Sequence, residues 1–356
     1  MEFMEFQVLT SLVSRAFRKS WHMRLIALTL TNNLHDHPLL KNHKLQRKPN
    51  FQKTVKDSPT EPIFGLEKIQ CPNGKVPIRR ITKDDLIQPK WFSKTICQTL
   101  DIQVAEMSLK TSLNPPYHGV SGATSIYNPR VKSDRSSSAE IWVQIGELGG
   151  MNKIASGWHV DPGLYGDNKT HIYSAWTSDN FMKTGCYNTL CPGFVQIDKG
   201  IMVGAQVQDT SVYDGVMVEM NVSILLDTKT NNWWVIMQYR SVGYFPASLF
   251  SNMTSADHVG WGGRTSTPRQ TPSPPMGSGY LPDFNSVHAC YFRNISYQDE
   301  TGPNKAPITY LMETSLTDAN GSCSDIQYYG YSGLESGCMI QFGGPGGANC
   351  GGSWVC

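Results

Sequence analysis

Nowhere among the 356 residues is there a run of eighteen apolar side chains, so no segment reads as a membrane-crossing helix. Charge is scarce at 17% of residues, with a formal net charge of +2. A field that weak gives no reason to expect nucleic acid as a partner. Gly-x-Ser-x-Gly, His-Glu-x-x-His, the P-loop and the dinucleotide fingerprint are all missing, which excludes the enzyme classes built on them. The nearest look-alikes, Gly330-Tyr331-Ser332-Gly333 and Gly119-Val120-Ser121-Gly122, lack the required spacing. None of the nine cysteines forms a Cys-x-x-Cys pair, and no Cys/His group has zinc-finger spacing. His35, His37 and His43 lie in a basic stretch whose one acidic neighbour is Asp36, and they read as solvated side chains. Neither a metal nor a cofactor is expected.

What is abundant is glycine (32), proline (21) and aromatic residues (10%), the composition of a β-rich, loop-rich secreted protein. Two cysteines stand five apart in Gly185-Cys186-Tyr187-Asn188-Thr189-Leu190-Cys191, as paired cysteines do in an oxidising compartment. Glycosylation sequons start at Asn168, Asn221, Asn252, Asn294 and Asn320. The N-terminus fits secretion less well. Phe6 to Phe17 is interrupted by Ser and Arg15, and the apolar run Met23 to Leu30 is short and late for a signal peptide. Residues 1–33 are read as a poor or degraded leader of a secreted chain.

Residues 34–115 are basic, polar and dotted with Pro38, Pro49, Pro59 and Pro62, a composition that buries little apolar surface alone. They read as a weakly structured pro-segment. From residue 116 to 356 short alternating runs separated by turn residues predict a mainly β domain, a double antiparallel sheet sandwich. Ile141, Val143 and Ile145 alternate with Glu140, Trp142 and Gln144. Phe194 to Gln208 reads as a hairpin turning at Asp198-Lys199-Gly200. Val216 to Ile224 holds period two, and the loop Asp227 to Asn232 leads into Trp233 to Tyr239. Thr265 to Pro275, with four prolines, reads as an exposed loop, and the glycine-rich tail is closed by Cys350 and Cys356.

Several runs of rare residues carry a resemblance. In the first third they are His37 to Pro49 and Cys71-Pro72-Asn73-Gly74-Lys75-Val76-Pro77-Ile78-Arg79-Arg80. Tyr117-His118-Gly119, Gly157-Trp158-His159-Val160, Leu164-Tyr165-Gly166-Asp167, Trp176-Thr177-Ser178-Asp179 and Thr184-Gly185-Cys186-Tyr187-Asn188 follow. Then come Cys191-Pro192-Gly193-Phe194, Asn232-Trp233-Trp234, Val242-Gly243-Tyr244-Phe245-Pro246, Trp261-Gly262-Gly263, Met276-Gly277-Ser278-Gly279, Phe292-Arg293-Asn294-Ile295 and Gly343-Gly344-Pro345-Gly346. In that order they resemble the plant neprosin-domain family with its preceding activation peptide.

The resemblance implies a glutamic-peptidase or concanavalin-like sandwich, and an acid endopeptidase cutting after proline through two glutamates. Two carboxylates sharing a site split their pKa values, so one is a base while the other still holds a proton. The family's first glutamate, two residues before Gly-Trp, falls on Ala155, and its second, after Trp-Gly-Gly, falls on Arg264. Alanine carries no proton and arginine keeps its own. Asp161 and Asp257 are the nearest carboxylates in sequence; Pro162 ends the strand at the first, and strand geometry places neither at position 155 or 264. The resemblance also pairs Cys186 with Cys191 and Cys323 with Cys350, leaving Cys71, Cys97, Cys290, Cys338 and Cys356 unassigned.

Three functions follow as expectations. The first is a secreted, monomeric, non-catalytic descendant that binds a proline-containing peptide or cell-wall polymer. The second is an acid prolyl endopeptidase with a rearranged carboxylate pair. The third is a carbohydrate-binding sandwich. Trp158, Trp176 and Trp261 are the cleft aromatic candidates, with Trp233 and Trp234 as further stacking surfaces unless they are core.

Overall fold

The structure, a computed structural model, describes residues 25–29, 75–79, most of 40–51, and 100–350 apart from 111–115, 148, 149, 319 and 349. Two short strands, β1 (Leu25–Thr29) and β2 (Lys75–Arg79), pair with each other and with no other described strand. The apolar run of the expected leader therefore supplies a strand. His35 and His37 lie outside the described residues, as do Cys71, Cys97 and Cys356.

The remaining strands run in order β3 (Leu100–Lys110), β4 (Tyr117–Ser125), β5 (Ser136–Ile145), β6 (Asn152–Val160), β7 (His171–Thr177), β8 (Cys186–Tyr187) and β9 (Val195–Gln196). After them come β10 (Glu219–Asp227), β11 (Asn232–Met237), β12 (Arg240–Phe245), β13 (His258–Pro268), β14 (Cys290–Asp299), β15 (Met312–Leu316), β16 (Asp325–Tyr331) and β17 (Cys338–Gly343). They form a seven-stranded antiparallel sheet, β15-β3-β13-β5-β6-β7-β8, and an eight-stranded one, β16-β17-β14-β4-β10-β11-β12-β9. This is the mainly β double sheet that the alternating runs predict.

Strand alternation sends every second side chain inward. From the seven-stranded sheet Ile141, Val143, Ile154, Val259 and Leu109 point inward, and all are buried. Trp158 and Trp261 lie in the same layer at 0% exposure. Each indole donates its Nε1–H across the gap to a β4 carbonyl, Trp158 to Ser125 and Trp261 to Ser121, both at 2.9 Å. A buried indole needs such an acceptor, and here the bond ties one sheet to the other. Trp233 and Trp234 are equally buried, and Trp176 is 4% exposed and packs edge-on against Phe250. The five tryptophans are core, which removes them as cleft or glycan-stacking surfaces.

Three loop readings are corrected. Phe194 to Gln208 is not a hairpin: only Val195–Gln196 form a strand, against β12, and the chain then crosses to hydrogen-bond β7, where Ile172 N–H reaches Ala205 O at 2.9 Å. Asp198 makes the crossing possible by accepting from the amides of Gly200 and Ile201 and from Arg240. The period-two run starts as a strand at Glu219, because Val216 sits in an exposed turn. Thr265–Pro268 continues β13, its hydroxyls satisfied by Ser273 and Thr271. By contrast, Asp227 to Asn232 does turn the β10–β11 hairpin.

Disulfides join Cys186 to Cys191 and Cys323 to Cys350, while Cys290 and Cys338 are free and buried. Of the sequon asparagines, Asn168, Asn252, Asn294 and Asn320 are exposed, and Asn221 is half-buried, bonded to Gln238 and Tyr239.

Candidate functional site

The outward face of the seven-stranded sheet carries an unusual set of side chains, and the strand register places them in rows. One row reads Glu106 (β3), Gly262 (β13), Glu140 (β5), Gly157 (β6), Tyr173 (β7). The next reads Val104, Arg264, Ser138, His159, His171. On the other side lie Ser108, Gly260, Trp142, Ala155 and Ala175, then Tyr187 on β8. Glu106 and Glu140 thus occupy one row with a glycine between them, Cα atoms about 10 Å apart at two strand spacings.

The glycines beside Glu140 are steric necessities. A Cβ on Gly157 would lie 1.9 Å from the Ala139 carbonyl oxygen, and one on Gly262 would lie 2.3 Å from that of Ala105. Glu140 therefore projects between two bare stretches of backbone. Gly260 is similarly closed, here by the Trp142 ring at 2.5 Å.

Glu140 is 4% exposed and Glu106 7%. Burying a lone carboxylate is costly, so partners must supply the compensation. Tyr173 donates its hydroxyl to Glu140 Oε2, and Lys153 Nζ stands 3.4 Å from Oε1. The same ammonium lies 4.7 Å above the Trp142 ring, a cation–π contact that fixes its stem. Burial alone pushes Glu140 up, but the charges of Lys153 and Arg264 and the bonds from Tyr173 and Lys153 outweigh it and hold the carboxyl below the usual range. Glu106 moves the opposite way: burial raises it and the neighbouring Glu140 charge adds to the rise, against the attraction of Lys153 and Arg264. The two carboxyls are thus biased in opposite directions, Glu140 toward the ionised form and Glu106 toward the protonated one.

Polar atoms are left over on this face. Glu106 Oε1, Trp142 Nε1 and His159 Nδ1 are buried without a well-formed hydrogen bond among the described residues, although the Trp142 indole is near enough to Glu106 to favour its ionised form. Burial lowers His159 to about 3, so its ring is neutral at any ordinary pH. Its Nε2 faces Asp161 at 3.7 Å, and the ring stacks on Tyr187. Burial raises Asp161 to about 7. Arg264 and Tyr187 are the members that reach solvent in part.

The two positions where the resemblance places glutamates lie on this face, on β6 and β13. Ala155 and Arg264 share it but are not side by side. The row partner of Ala155 on β13 is Gly260, and Arg264 is four residues further along, about 13 Å at strand rise. Asp161 ends β6 and caps the one-turn helix α1 (Pro162–Tyr165), accepting from Leu164 N at 2.9 Å. Asp257 accepts from Gly146 N and contacts His258. His43 lies elsewhere, against Tyr244. Sequence reasoning missed Glu106 and Glu140 as a pair, although Glu140 stood in the recognised alternation. Among the described residues, no group of three or more His, Cys, Asp and Glu side chains has the arrangement to hold a metal.

Among solved structures, the chain is similar to scytalido-glutamic peptidase bound to a transition-state analogue inhibitor, at 10% identity over 68% of this chain and 98% of that one, TM-score 0.40. It is similar to the same peptidase with a peptide-based transition-state analogue, at 10% identity over 68% and 97%, TM-score 0.37. A third is SCP-B, a member of the eqolisin family of peptidases, in complex with the tripeptide Ala-Ile-His, at 10% identity over 68% and 96%, TM-score 0.34. The model of the neprosin activation peptide matches residues 30–114, and the neprosin model matches residues 133–345, well over half of the chain. With both models matched in order, the chain belongs to the neprosin family.

Proposed function

We propose that this neprosin-family protein holds an extended, proline-containing peptide or a wall-polymer strand on the outer face of its seven-stranded sheet without cutting it. The observation that carries the reading is the state of Glu140. A general base must be free to take a proton from water. Glu140 is instead engaged by Lys153 and Tyr173 and biased toward the ionised form by Arg264, which stands where the family resemblance places a glutamate. His159 Nδ1 is left without a partner, and the Trp142 indole and the Glu106 carboxyl, which interact only weakly with each other, supply a donor and an acceptor for an extended backbone. Gly157 and Gly262 leave bare backbone on either side of Glu140. The preference for proline is carried over from the family resemblance.

A second reading is favoured by one observation. Glu106 and Glu140 share one row across Gly262 and their pKa values are pushed in opposite directions, as in an acid–base pair with Glu140 as base and Glu106 as acid. The full chain, incubated with a fluorogenic proline-containing peptide from about pH 2.5 to 7, separates the two readings. Silence in the natural chain at every pH, with intact peptide retained on it, supports binding without hydrolysis. Acid-dependent cleavage abolished by Glu140→Gln supports the displaced pair and overturns the first reading. We place the protein outside the cell, on the two disulfides and the four exposed sequon asparagines. No helix among the described residues is long and apolar enough to cross a membrane.

A further inference from the structure

The segment matched by the activation-peptide model contains β3. We infer that β3 is a permanent strand of the working protein, that any processing of the activation segment stops N-terminal to Leu100, and that Glu106 belongs to the sheet's outer face rather than to a removable piece. The assignment of Glu106 to a binding face rests on the proposed function; the retention of β3 does not.

β3 is an inner strand. It pairs with β13 from Leu100↔Pro268 to Lys110↔His258 and, on its other edge, with β15 from Ala105↔Leu316 to Leu109↔Met312. Its inward side chains Ala105, Met107 and Leu109 are buried between the sheets, and its outward Ile102, Val104 and Glu106 are buried as well. The far end of the chain is fastened to it. Val104 exchanges bonds with Thr317 at 2.9 and 3.1 Å, and Gln103 Nε2 donates to Cys350 O at 2.8 Å, next to the Cys323–Cys350 disulfide.

Excision of β3 would remove the one described strand neighbour of β15. It would also expose an unpaired β13 edge of eleven residues centred near Trp261. An edge that long, flat and glycine-bearing is a template for pairing with other chains. The other described parts of the activation segment contrast with this. Among the described residues β1 and β2 pair with each other, and residues 40–51 touch the sandwich by side chains, through buried Leu40, with Leu45 and Phe51 packed on the core, bonds of His43 and Gln46 to Tyr244 and an ion pair of Lys48 with Asp198. These pieces could leave without taking a ladder with them.

The test places a specific protease site in the full chain at one of two positions, between Lys110 and Tyr117 or between Arg79 and Leu100. After cutting, native size-exclusion chromatography with mass spectrometry shows which fragments remain together, and circular dichroism follows the melt. A cut after Lys110 is expected to leave the N-terminal fragment bound, released only in denaturant with collapse of the β signal. After a cut before Leu100 the N-terminal piece is expected to come away in milder denaturant than unfolds the sandwich, while the rest keeps its β signal and its cooperative melt. Dissociation of the Lys110-terminated fragment from a remainder that still melts cooperatively would overturn the inference. Retention is read independently of peptide binding, so the two claims fail separately.

Discussion

Replacing Lys153 by methionine removes the ammonium from Glu140 while keeping most of the stem that lies on Trp142. Both side chains of the pair are at most 10% exposed, so solvent screens them little. Breaking a buried pair by deleting one partner costs about 3–5 kcal/mol, because the other charge is left without compensation. Tyr173 and Arg264 still serve Glu140 here, which argues for the lower end, about 3 kcal/mol. For a sandwich of this size each kcal/mol moves Tm by about 2–4 °C, so the variant should melt about 6–12 °C lower at neutral pH. The sign of the pH dependence follows from Glu140, whose carboxyl is held below its unfolded value. Its contribution is complete above the unfolded pKa and is lost as pH falls through the folded one. The gap between natural chain and Lys153→Met should therefore shrink in acid. Adding Glu140→Gln should recover much of the loss at neutral pH, since removing both charges leaves no orphan. Melts within 1 °C of each other at neutral pH, or a gap that widens in acid, would refute the reasoning.

Asp161→Asn keeps a cap acceptor for Leu164 but removes the cost of ionising a buried carboxyl that titrates at about 7. A raised acid loses stability as pH climbs from its unfolded to its folded pKa, so the variant should match the natural chain near pH 4 and exceed it at pH 7.5, by up to roughly 4 kcal/mol for a shift of about three units. Denaturant titrations at the two pH values measure this. Gly157→Ala drives a Cβ into the Ala139 carbonyl, which cannot retreat without opening the β5–β6 ladder, and should cost about 3 kcal/mol or more in the same titration. Tyr173→Phe removes one donor from buried Glu140 and should lower stability by about 1–3 kcal/mol at neutral pH, with a smaller effect once Glu140 is protonated.

Much of the sandwich is legible in the sequence because one face of each strand must be apolar: Ile141 and Val143 alternate with Glu140 and Trp142, and burial follows that alternation. The Phe194 to Gln208 segment misleads for the same reason. Its alternation is real, but both halves bury against different sheets, and turn residues at Asp198 cannot distinguish a hairpin from a crossing. The tryptophans show the limit of composition: the family runs contain them, yet whether Trp158 faces a cleft or the core depends on which side of β6 packs inward. The carboxylate row is the hardest to read. Glu106 and Glu140 are 34 residues apart, and Gly262, which unites them, is over a hundred further on. Only the joint register of β3, β13 and β5 lines them up, and β3 lies in a segment whose basic, proline-dotted composition reads as unstructured.

The most direct measurement mixes the full chain with a proline-containing peptide across acid and neutral pH and follows complex and products together, by calorimetry and mass spectrometry. The account predicts a saturable complex containing intact peptide, weakened by Glu106→Gln and by Trp142→Phe, each of which alters one orphaned group. Cleavage of the peptide that Glu140→Gln abolishes, or no complex at any pH, would contradict it.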